Sequence, residues 1–154
     1  MINHSHHHPN QSLNKTAAIA TLHCLSGCAI GEVAGMVIGT ALGWSNTETI
    51  VLAVLLAFLS GYALTMLPIL RSGYPLRTAM TIALAADTAS ITIMEIVDNL
   101  VMLMVPGAMA APLDSWLFWS SLLAALIIAG IAAFPLNRWL IARGRGHALA
   151  HCHH

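Results

Sequence analysis

Residues 16–44 read TAAIATLHCLSGCAIGEVAGMVIGTALGW, a 29-residue stretch whose one charged residue is Glu32. A bilayer-spanning helix needs about 20 mainly apolar residues, so the stretch is long enough to cross. Three more runs of this kind follow, over residues 49–70, 78–105 and 115–136. The second has no charged residue, the third has only acids, and the fourth is uncharged up to Arg138. The loops between them are short and carry Asn, Gly or Pro, the residues of turns. Short loops make successive helices antiparallel neighbours.

The whole chain has the same bias. Of its 154 residues, 58% are hydrophobic and 8% charged, and mean hydropathy is +0.78. A soluble domain carries about 25% charged residues, and this chain has too few to cover a water-facing surface. The expected fold is therefore all-α: one integral membrane bundle of four transmembrane helices over residues 16–141. A His-rich tail (1–15) precedes it, and a basic, His-rich tail (142–154) follows. Formal net charge is zero with His neutral, which points away from a nucleic-acid partner.

The six basic residues give the orientation. Lys15, Arg71, Arg77, Arg138, Arg143 and Arg145 all fall on one side of a four-span chain. The opposite loops hold Glu48 and Asp114 and no Lys or Arg. The positive-inside rule places both termini in the cytoplasm. Trp44, Trp116 and Trp119 then mark the outer helix ends and Trp139 an inner one, as in an aromatic belt. The polar first 15 residues and the length of the first run do not fit a cleavable signal peptide.

The other four acids, Glu32, Asp87, Glu95 and Asp98, lie inside the expected spans. An acid at the bilayer centre costs about 2.5–3.5 kcal/mol on insertion scales. No Lys or Arg shares the spans, so the balancing charge is expected from protons, metal ions or a cationic substrate. Protonated acids bonding between helices are the plainer alternative.

The first helix has two stripes. Gly27, Gly31, Gly35, Gly39 and Gly43 recur every four residues and allow close backbone packing. One position on lie Cys24, Cys28, Glu32 and Met36, also spaced by four and so on one helix side, with His23 beside Cys24. Thiolate, imidazole, carboxylate and thioether are all metal ligands. A lone membrane Cys or Met is commonly packing; five such residues within 14 favour metal contact. A Cys24–Cys28 disulfide is not expected in a reducing compartment.

The third helix offers a matching face. Asp87 and Asp98 lie about 20° apart in projection and Glu95 about 80° from Asp87. Met94 and Met102 lie on or beside the same arc, with Ser90 and Asn99 at its flanks. Counted from the helix ends, Asp87 should lie near the Cys24–Cys28 level, Glu95 near Glu32 and Asp98 near Met36. Intramembrane ionisable residues of this kind mark ion pathways.

Both tails suit metal capture: His4, His6, His7 and His8 at one end, and His151, Cys152, His153 and His154 at the other. Pro68 and Pro135 are expected to kink or end the second and fourth helices. No phosphate-binding loop, catalytic triad or zinc-protease motif is present, so a non-enzyme is expected.

The segment from His23 to Glu32, Gly61-Tyr62-Ala63-Leu64, and Asp87-Thr88 with Glu95 and Asp98-Asn99 resemble a family of small bacterial four-helix membrane proteins, domain of unknown function 4396. The resemblance covers nearly all the spans and implies the four-helix fold and a bacterial inner membrane. The family has no assigned activity; the joining of some relatives to copper-protein modules leans toward copper.

The leading expectation is binding or translocation of a transition-metal cation, copper or a divalent ion such as zinc, with protons in exchange and a homo-oligomer in the bilayer. The alternative is a structural or assembly protein with protonated acids and a glycine packing face. A redox protein using Cys24 and Cys28 is a third reading, and the lack of a paired axial His in the spans argues against haem.

Overall fold

The computed structural model describes residues 9–143, with side chains from Leu13 onward. Its elements are α1 (Pro9–Ala41), α2 (Asn46–Arg71), α3 (Leu76–Met104), a 3₁₀ turn (Ala108–Ala110) and α4 (Trp116–Ala142). All four long helices are long and apolar enough to cross a membrane. Leu22, Ile30, Leu59, Ile96, Leu123 and Ile131 are exposed around the bundle. A monomer in water rarely leaves so much apolar surface bare; a bilayer covers it.

α1 starts seven residues earlier than expected, so 9–15 are helical rather than tail. Its 33 residues span roughly 50 Å at 1.5 Å each, more than the ~30 Å hydrocarbon layer. Its N-terminal turns thus reach past the hydrocarbon. There the Nε of Arg138 donates to Asn14 Oδ1 at 2.6 Å.

Two boundary expectations change. Glu48 is not in a loop: it closes a capping box with Ser45 in the first turn of α2, satisfying amides that a helix start leaves without partners. Pro135 does not stop α4, which continues through it to Ala142. A proline removes one helical hydrogen bond, and membrane helices tolerate this where neighbouring groups compensate. Pro68 lies in the last turns of α2, and the amide and hydroxyl of Ser72 both donate to its carbonyl.

The bundle is a square in which α1 packs on α2 and α4, and α3 packs on α4 and α2. The α1–α2 contact is the most extensive, and the glycines are the reason. A Cβ on Gly27 would come within 2.6 Å of the Gly61 Cα, and one on Gly31 or Gly35 would run into the backbone of Ala57 or Ala53. With the backbones this close, Ser60 Oγ donates across to the Gly27 carbonyl at 2.6 Å. Gly39 meets the Thr49 side chain. Gly43 departs from the expected seam. It has a φ of +67° in the turn after α1 and nothing nearby, so it serves the chain reversal, a left-handed conformation that glycine adopts without strain.

α1 and α3 run in the same direction and touch across the diagonal of the square. Their facing residues fill the axis between them.

Candidate functional site: an axial file of acids and sulfur atoms

The register between α1 and α3 organises the site. Cys24 lies against Ser90 and Asp87. Cys28 packs in one buried cluster with Met94. Glu32 lies against Asp98, and Met36 packs on the cluster around Met102. Ser90, Met94, Asp98 and Met102 are each 66 residues beyond their partners on α1. Both helices carry their file at every fourth position, so parallel helices keep these partners level over about three turns.

The acids are deeply enclosed: Asp87 is fully buried, and Glu32, Glu95 and Asp98 are 3–4% exposed. The thiols of Cys24 and Cys28 are free and buried, and Cys24 Sγ donates to Asp87 Oδ1 at 3.5 Å. Glu95 faces both Cys28 and Asp98 and is also near Glu32. The expected depths are therefore corrected in part. Asp87 belongs to the Cys24 level, and Asp98 is level with Glu32 rather than with Met36. Glu95 bridges the Cys28 and Glu32 levels. Counting from helix ends misplaced Asp98 by a turn because α1 extends further at its N-terminal end.

The polar satisfaction of these groups is incomplete. Both carboxyl oxygens of Glu32 and of Glu95, and Oδ1 of Asp98, are buried without a hydrogen-bond donor. Asn99 sends its amide to the Glu95 main-chain carbonyl instead, at 2.9 Å. Buried polar atoms normally find a partner. Two carboxyls in contact cannot both be ionised at low cost. A proton held between Glu32 and Asp98, or another cation, resolves both demands.

A cavity of about 300 Å³ opens at the end of the bundle formed by the α1–α2 turn and the α3–α4 connection. Trp44 is at its rim, and Glu32 and Asp98 line its inner part. Met36, Met102 and Met109 line it between. Toward the other end of the bundle the axis is filled by Cys28, Ile91 and Met94.

His23 is half-buried on α1, about 100° around the helix from Cys24. The tail residues His4, His6, His7, His8, His151, Cys152, His153 and His154 lie outside the described residues. Among the described residues, no three His, Cys, Asp or Glu side chains form a group able to hold a metal ion. The candidate ligands are distributed along the axis, mainly in pairs.

Two features escaped the sequence reading. Met109 reaches the cavity from the 3₁₀ turn, where no helical periodicity marks it. At the other end of the bundle, the buried Asn137 donates from Nδ2 to Thr21 Oγ1 at 2.9 Å, and that hydroxyl donates on to the Ala17 carbonyl. A lone Asn near the end of an apolar run gives no such signal.

Fold and axis together define a four-helix membrane protein with buried acids and sulfur atoms along its centre. The chain belongs to the family described as Domain of unknown function (DUF4396), which matches residues 13–146. No curated protein and no solved structure matches the chain.

Proposed function

We propose that this protein binds and translocates a transition-metal cation along the α1–α3 axis, releasing protons in exchange. The observation that carries the proposal is the Glu32–Asp98 pair: two buried carboxyls in contact at the inner part of an open cavity. Among the described residues, Lys15, Arg71, Arg77, Arg138 and Arg143 all belong to the opposite end of the bundle. A cation arriving through the cavity supplies the charge that the pair lacks. Further along, the ligands are Glu95 with Cys28, and Asp87 with Cys24. His23 and the His-rich tails would serve the end of the file away from the cavity.

In this reading the chain is a multi-pass protein of a bacterial plasma membrane with both termini in the cytoplasm, and the cavity opens outward. A homo-oligomer is part of it, because four short helices enclose little room for a pathway. The competing assembly reading loses its driving surface, since Gly27, Gly31, Gly35 and Gly39 already pack against α2. No enzymatic step is assigned.

The test is metal content and flux. Full-length protein would be reconstituted in liposomes containing a metal-sensitive dye, with wild type and Glu32→Gln/Asp98→Asn compared for Zn(II), Co(II) and, under reductant, Cu(I). The proposal expects uptake of at least one metal that falls tenfold or more in the variant. Equal uptake by both proteins, or none by either, would overturn it.

A further inference from the structure

We infer that the outer cavity is a binding site for a soft monovalent d¹⁰ cation, Cu(I) or Ag(I), collected by Met36, Met102 and Met109 above the Glu32–Asp98 pair. This deepens the proposed function by naming its substrate class, and it rests on that reading.

Three different segments send a methionine to one place. Met36 comes from α1, Met102 from α3 and Met109 from the 3₁₀ turn, and all three border the same cavity. Met36 and Met109 also pack on the cluster that contains buried Met102. Methionine is a common gap-filler in cores, but these three border open space. A thioether is a neutral, soft donor that selects Cu(I) over hard or borderline divalent ions.

The carboxyls are the second, independent observation. Glu32 and Asp98 are more than nine-tenths buried and line the same cavity. Both oxygens of Glu32 and one of Asp98 have no hydrogen-bond donor. Met36 follows Glu32 by four residues and Met102 follows Asp98 by four. A thioether layer therefore lies about 6 Å above a carboxyl layer.

The experiment uses full-length protein carrying ¹³C-methyl methionine, titrated with Ag(I) and separately with Zn(II). The chain has eight methionines and three cysteines, so Ag(I) is carried past the amount the thiols consume. Single Met→Leu variants assign the signals. The expected result is that the Met36, Met102 and Met109 methyl signals shift together with Ag(I) and stay in place with Zn(II). Met80 and Met104, exposed on the outside of the bundle, are the controls. Shifts at the three no larger than at those two would overturn the inference. In that case, metal uptake still lost in Glu32→Gln/Asp98→Asn would leave the proposed function standing, and uptake absent from wild type would end both.

Discussion

Glu32 of α1 and Asp98 of α3 meet carboxyl to carboxyl across the diagonal of the bundle. Each lines the cavity at the end of the bundle formed by the α1–α2 turn, and among the described residues neither has a basic partner. Such a contact is costly for folding alone, because apolar residues of similar volume would pack there without a proton or metal.

That cost gives the first prediction. Glu32→Gln/Asp98→Asn should fold with a Tm equal to or above that of wild type, because amides need no counter-charge and can bond to each other. Metal-dependent transport should fall at least tenfold in the same protein. Thermal unfolding in detergent, run beside the liposome assay, checks both. A Tm lowered by many degrees would make the pair a structural element.

The glycine seam gives the second. Gly31→Ala places a methyl group against the Ala57 backbone and should cost about 1–3 kcal/mol, as overpacking does. Gly43→Ala meets nothing within 4 Å but needs a positive φ, which costs roughly 1–2 kcal/mol. Unfolding in mixed micelles would compare them. α1–α2 association should suffer in the first variant and be intact in the second.

The buried Asn137–Thr21 contact is a stabilising link between α4 and α1 at the end of the bundle away from the cavity. Thr21→Val and Asn137→Leu should each destabilise, with a coupling energy of about 0.6–2 kcal/mol by double-mutant cycle, the range of interhelical hydrogen bonds in membranes. Neither change should affect Ag(I) binding in the cavity at the opposite end.

Thiol chemistry reports the packing of the axis. Cys24 and Cys28 are 2% and 1% exposed, so in a Cys152→Ser background a bulky maleimide should label neither in the folded protein. Both should react after SDS unfolding. Rapid labelling of Cys28 in the native state would show an axis more open than the structure has it.

Orientation is tested from outside the cell. Asp114→Cys, in the α3–α4 connection, should react with a membrane-impermeant maleimide applied to intact cells. Ser72→Cys, in the α2–α3 turn, should react only after permeabilisation. The reverse pattern would invert the assignment made from the basic residues.

How far the amino-acid sequence reaches differs between parts of this protein. The four spans follow from it alone, because bilayer thickness and helical rise fix how long an apolar run must be. So do the stripes of Cys24, Cys28, Glu32 and Met36 and of Asp87, Glu95 and Asp98, since helical periodicity is a local property. The tertiary structure alone decided that α2 covers the glycine seam and that α1 faces α3 across the diagonal. It also decided the 66-residue register that sets Glu32 against Asp98 and Met36 against Met102. Register depends on turn geometry and on side chains packing between distant segments, and no window of sequence contains both. Met109 shows this most clearly, because its place beside Met102 exists only once the 3₁₀ turn has folded back over the end of the bundle.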